Sequence, residues 1–147
     1  MSIPARVSLI TLGVADVEAS TAFYQAVGWP LSSSSVPGEV SFFKNAGAIL
    51  ALWSADNLRA DAGLPPGSAS GRASFRDVAL AINCADRAEV DAVFVAVEAA
   101  GGSIVTQPHA TDWGGYSGYF ADPDGHLFEV AHNPGWPLDH DGLPILP

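Results

Sequence analysis

The chain has little cysteine, few cations and no long apolar run. Cys84 is its one cysteine, and six lysines and arginines face 16 aspartates and glutamates, a formal net charge of −10. A lone thiol permits no intrachain disulfide and no cysteine-built zinc site. Cys84 sits in an apolar run and reads as a small buried hydrophobe rather than a nucleophile. The scarcity of cations argues against nucleic acid as a partner, because phosphate neutralisation needs clustered lysine and arginine. An anionic membrane surface is disfavoured for the same reason. No apolar stretch reaches the ~18 residues that a membrane-crossing helix needs. The opening residues lack the charged-then-apolar pattern of a secretory signal, so a cytoplasmic protein is the expectation. No Ser-His-Asp set, P-loop or glycine-rich dinucleotide fingerprint is present, and Gly114-Gly115 reads as a turn or bulge.

What is there fits one folded domain. The chain has 147 residues, 48% of them hydrophobic and 15% charged, which is enough for a proper core. The most informative stretch runs from Gly118 to Val130. Asp122-Pro123-Asp124-Gly125 is strong turn chemistry between two apolar runs, so a β-hairpin is expected. Glu129 stands between Phe128 and Val130 on the second strand. A carboxylate there lies either on a solvated face or in a site.

The rest of the chain repeats a pattern. Val7 to Val14 alternates as a strand, Asp16 caps a helix running to Val27, and Gly28 stops it. Trp29–Ser35, Val40–Lys44 and Ala48–Trp53 read as three short strands. Ser54 to Arg72 is rich in Pro, Ser, Ala and Gly and reads as a linker with one helical turn near Ala55 to Asp61. The pattern then restarts: a strand from Phe75 to Asn83, a helix from Arg87 to Ala100 capped by Asp86, and strands over Ser103–Thr106, Tyr116–Ala121 and His126–His132. The expected organisation is therefore one domain, 1–147, with a module at 5–53, a linker at 54–72, a second module at 73–132 and a tail at 133–147. An internal repeat fixes architecture more firmly than any single motif. Ile10, Leu12, Val14, Phe23, Leu50, Leu52, Val78, Leu80, Ile82, Phe94, Phe128 and Val130 are expected to form the cores facing the helices.

This order, together with Leu12-Gly13-Val14-Ala15-Asp16, Gly28-Trp29 and the hairpin motif Tyr119 to Val130, resembles the vicinal oxygen chelate superfamily of glyoxalase I, extradiol dioxygenases and bleomycin resistance proteins. Asp112 to Tyr119 looks like a subgroup labelled only glyoxalase-like. The resemblance implies an α+β fold in which two tandem βαβββ modules form a half-open β-barrel, and dimers are common. It also implies that metal-using members carry ligands on the concave faces of the first and last strand of each module. Counting from Gly47 and Gly125 pairs Ala51 with Glu129. Matching Ile10-Leu12-Val14 to Val78-Leu80-Ile82 pairs Leu9 with Asp77. Leu9 and Ala51 coordinate nothing, so no metal site is expected beyond a divalent ion held weakly by Asp77 and Glu129.

Candidate ligand-binding residues are Trp53, Asp77, Trp113, Tyr116, Phe120 and Glu129, as walls and polar groups of a concave groove. Pairing Ala121 with His126 across the turn places Phe120 opposite Leu127 and Tyr116 opposite Ala131. For each aromatic, ordinary packing between the halves is the competing reading. For each carboxylate, hydration is. The histidines, His109, His126, His132 and His140, read as surface positions. The first functional expectation is a metal-independent small-molecule binder suited to apolar or cationic ligands. The second is a lyase or isomerase using Glu129 as general base, its pKa raised if desolvated, with a weak divalent metal. The third is a dimeric interaction module. No cofactor is expected, and a homodimer is.

Overall fold

Two aspartates set the helices. Asp16 accepts the Ala19 amide at 3.0 Å, and Asp86 accepts the Glu89 amide at 2.8 Å, so each satisfies a donor that a helix start leaves open. Glu89 reaches back to the Ala85 amide at 2.6 Å, reinforcing the second start. In the computed structural model, which describes residue 3, residues 5–67 and residues 76–146, the elements are β1 (Leu9–Val14), α1 (Val17–Ala26), β2 (Val40–Phe43), β3 (Ile49–Ser54), α2 (Ala55–Asp61), β4 (Ala79–Asn83), α3 (Arg87–Ala99), β5 (Ser103–Ala110), β6 (Tyr116–Ala121) and β7 (Leu127–His132). The expected linker residues 68–72 and module start 73–75 lie outside the described residues. No helix among the described residues is long and apolar enough to cross a membrane.

The strands form two sheets, ordered β1-β3-β2 and β4-β7-β6-β5. In each, the first strand runs parallel to the last: β1 with β3, and β4 with β7. Helix α1 packs on the first sheet and α3 on the second, while α2 packs against β1 and β3. This is the expected α+β fold of two related modules, with the sheets not closed into a barrel.

The first module holds one regular strand fewer than expected. Trp29–Ser35 forms only a bridge, Leu31 to Phe43, with Ser32 and Lys44 exchanging backbone bonds with Phe42 and Pro30. Pro30 has no N–H to donate, and the Ser32 hydroxyl accepts the Ser34 amide, turning the chain away from the ladder. In the second module β5 extends to Ala110, and its register shifts between Ile104 and Thr106 and again between Thr106 and His109.

The helix-facing sides of both sheets share one core. Val14, Phe23, Tyr24, Phe43, Leu50 and Leu52 from the first module join Phe94, Phe120, Phe128 and Val130 from the second. Phe128 is the junction: it stacks on Phe120 at 4.9 Å and meets Tyr24 at 6.2 Å and Trp29 at 6.1 Å. Ile10, Leu80 and Ile82 pack against this core, but Val78 does not, being 64% exposed ahead of β4.

The hairpin turn locks the modules together. Asp122 is 3% exposed; its Oδ1 accepts the amides of Asp124 and His126, and its Oδ2 accepts the Tyr24 hydroxyl of α1 at 2.6 Å. The Ala15 amide donates to Asp124 at 2.8 Å, and His126 Nε2 donates to the Gly13 carbonyl at 2.8 Å. Because that carbonyl can only accept, Nδ1 is the free acceptor of this ring, and Arg76 donates to it at 3.2 Å.

Candidate functional site

Strand β7 alternates from Leu127 to Val130. Phe128 and Val130 are buried against the helix side, so Glu129 points to the opposite, open face with half-buried Leu127, where Ala131 further along is covered. Its neighbours across the ladder are Ala81 of β4 and Tyr119 of β6. The Tyr119 hydroxyl donates to Glu129 Oε2 at 2.9 Å. That bond, with some desolvation, pushes the Tyr119 pKa up, so the phenol keeps its proton. On the other side Ala79 and Ala81 are small and exposed, which leaves space beside the half-buried carboxylate.

The sequence candidates fall in several places. Trp53 is half-buried on the open face of the first sheet, with Ala51, in register with Gly13 and Val40. Trp113 is 53% exposed in the β5–β6 turn, its ring lying on Gly115. Asp77 is exposed, precedes β4, and has φ of 59°, a left-handed bend that aspartate tolerates better than most residues. It therefore does not share a dry cavity with Glu129.

Two of the aromatic wall residues stand on the opposite side of the sheet from the one expected. Phe120 is buried between Phe94 and Phe128. Tyr116 turns to α3, its hydroxyl donating to Asp91 at 2.7 Å and its ring lying 5.1 Å from the Arg87 guanidinium. The cause is a register slip of one residue. Asp122, not Ala121, pairs with His126, because the Asp122 carboxylate gathers both turn amides, and Ala121 then pairs with Leu127. A slip of one flips every side chain on the strand. It removes Tyr116 and Phe120 from the open face and brings Tyr119, which the sequence reading missed, to Glu129.

The matched ligand positions also move. Thr11 pairs with Ala51, and Ala81 with Glu129. Gly47 and Gly125, with φ of 81° and 84°, each precede the last strand of their module by two residues. Leu9 is thus equivalent to Ala79, not Asp77, and Val14 to the buried Cys84. The four positions are Leu9, Ala51, Ala79 and Glu129. One carboxylate among three side chains without donor atoms does not fit a metal centre. Among the described residues the one cluster with metal-ligating atoms close together is Asp139, His140 and Asp141, in the tail.

Two of the remaining histidines contact backbone carbonyls. His132 Nδ1 lies 3.1 Å from the Cys84 carbonyl, and exposed His109 lies 3.0 Å from the Gln107 carbonyl. Burial, then Glu89 and Asp86, push the Cys84 thiol up to about 12, which suits a packed hydrophobe and not a nucleophile.

This architecture of paired modules, with a carboxylate on the open face of the last strand, defines a class. The chain belongs to the Glyoxalase/Bleomycin resistance protein/Dioxygenase superfamily, whose family model matches residues 6–130. A glyoxalase-related enzyme from Fulvimarina pelagi is similar at 38% identity and TM-score 0.83, over 97% of this chain and 98% of that one. A glyoxalase/bleomycin resistance protein/dioxygenase from Nocardioides is 31% identical, TM-score 0.72, over 90% and 85%. A lactoylglutathione lyase from Agrobacterium tumefaciens is 29% identical, TM-score 0.66, over 93% and 100%. No curated protein matches the chain.

Proposed function

We propose that this protein is a metal-independent, cytoplasmic binder of a small molecule that combines an apolar body with a cationic group, held on the open face of the second sheet. The observation that carries the reading is the Tyr119–Glu129 pair. Glu129 is half-buried, accepts one phenolic hydrogen bond, and forms no ion pair among the described residues. A carboxylate so placed keeps acceptor capacity for an incoming cation, and charge-assisted bonds are the stronger kind. A net charge of −10 raises the local concentration of cationic ligands further. Trp53 supplies an aromatic surface on the open face of the first sheet, and the exposed alanines of β4 leave room. The donor-poor ligand positions support metal independence. A homodimer is part of the proposal, supported by exposed Leu9 and Ile49, which with Phe42 line an apolar hollow of about 260 Å³.

A second reading follows from the same pair. The Tyr119 hydroxyl oxygen lies 2.9 Å from Glu129 Oε2 and donates its proton toward it, so the two could pass a proton to and from a bound substrate, Glu129 acting as general base. The test is a thermal-shift screen of cationic aromatic compounds, with benzyltrimethylammonium as reference probe, on protein freed of metal by chelation. Stabilisation that persists after chelation and is lost in Glu129→Gln is expected. Stabilisation that returns only with added divalent metal would reject the metal-independent reading.

A further inference from the structure

A second, larger cavity has no part in the site above. It measures about 910 Å³ and lies between the β1–α1 turn, α2 with the residues after it, and the β6–β7 turn. Neither Glu129 nor Tyr119 lines it. Three observations mark it as built for a ligand. First, Ser20 is 1% exposed and lines the cavity, and its Oγ is the one buried side-chain polar atom without a partner among the described residues. Buried hydroxyls are ordinarily satisfied, and even the half-buried one of the next residue is: Thr21 donates to the Val17 carbonyl at 2.6 Å. Second, although the chain has only six cations, two of them, Arg59 and Arg76, line this space. Neither has an ion pair, the sole one among the described residues being His140–Asp141, and Arg76 is held by its hydrogen bond to His126 while Arg59 is left to a ligand. Third, the other walls carry Asp16, Asp56 and Asp124. Asp16 and Asp124 each accept a backbone amide and so are fixed in place.

We propose that this cavity binds a small zwitterion, with its carboxylate on Arg59, its ammonium toward Asp16 and Asp56, and a hydrogen bond to Ser20. A guanidinium is the natural partner of a carboxylate, which it meets through parallel N–H donors. A dianion would satisfy Arg59 but face Asp16 and Asp56. A dication would satisfy the aspartates and leave Arg59 unanswered. Mixed walls therefore select for mixed charge, by repulsion as much as by attraction.

The test is an amide-resolved NMR titration of the full chain with γ-aminobutyrate, succinate and putrescine, which share chain length and differ in charge. γ-Aminobutyrate is expected to give saturable shifts at Ala15, Ala19, Ser20 and Arg59. Binding should weaken about ten-fold or more in Arg59→Gln, as loss of a charge-assisted pair implies, and recover in part in Arg59→Lys. Tighter binding of succinate or putrescine would overturn the zwitterion assignment. Absence of saturable shifts at these residues, or an Arg59→Gln affinity equal to that of the original chain, would overturn the site. The shifts are read at residues remote in sequence from Glu129, so this outcome is independent of the Tyr119–Glu129 reading.

Discussion

Tyr24→Phe should weaken the protein by removing one oxygen atom. The hydroxyl donates to Asp122 at 2.6 Å, and the two residues are 1% and 3% exposed. Without it, a buried carboxylate oxygen is left without a donor, which costs about 1–3 kcal/mol. For a chain of this size that corresponds to a melting temperature lower by roughly 2–4 °C per kcal/mol. Asp122→Ala removes more, because Oδ1 also holds the amides of Asp124 and His126, and a loss of about 3–5 kcal/mol is expected. The two effects should not add. Once Asp122 is gone, Tyr24 has lost its acceptor, and the double variant should show a coupling of about 1 kcal/mol or more. Urea unfolding of the four chains measures this. Full additivity, or a Tyr24→Phe chain as stable as the original, would refute the clamp. The pair also has a pH signature. Burial and Asp122 push the Tyr24 pKa above its ordinary value of 10.0, so the unfolded chain ionises first as pH rises. The stabilisation is complete below that value and fades above it.

Cys84 should behave as packing and not as a reagent. Ellman's reagent should titrate it only on unfolding, and between 9.0 and about 12 the unfolded thiol ionises while the folded one does not, so stability falls with rising pH less steeply in Cys84→Ala. Gly118→Ala should destabilise by about 1–3 kcal/mol in thermal melts, because a Cβ there would stand 2.7 Å from both the Thr106 carbonyl and the Phe94 ring.

The modules, both long helices and most of the core were legible because they rest on local chemistry: capping aspartates, period-two and helical spacing, and paired glycines before the closing strands. Val78 was misplaced because alternation continues past the end of a strand as readily as within it. The site was less legible. Whether β6 shows Tyr119 or Phe120 to the open face depends on which residue pairs with His126. That is settled by the Asp122 side chain, which bonds the turn amides and reaches α1 at the same time. The sequence marks Asp122 as a turn residue, but its partner Tyr24 is 98 residues away. The metal-position match failed for a related reason. Ile10-Leu12-Val14 aligns with either Val78-Leu80-Ile82 or Leu80-Ile82-Cys84 by pattern, and only the ladder, Thr11 to Ala51 and Ala81 to Glu129, separates them.

The proposed function turns on Glu129, held by Tyr119, as the anchor for a cationic ligand without a metal. Calorimetric titration of metal-free protein with benzyltrimethylammonium tests it most directly. Saturable binding is expected, falling about ten-fold or more in Glu129→Gln and unchanged by chelator. Equal affinity in Glu129→Gln, or binding that appears only when a divalent metal is added, would contradict it.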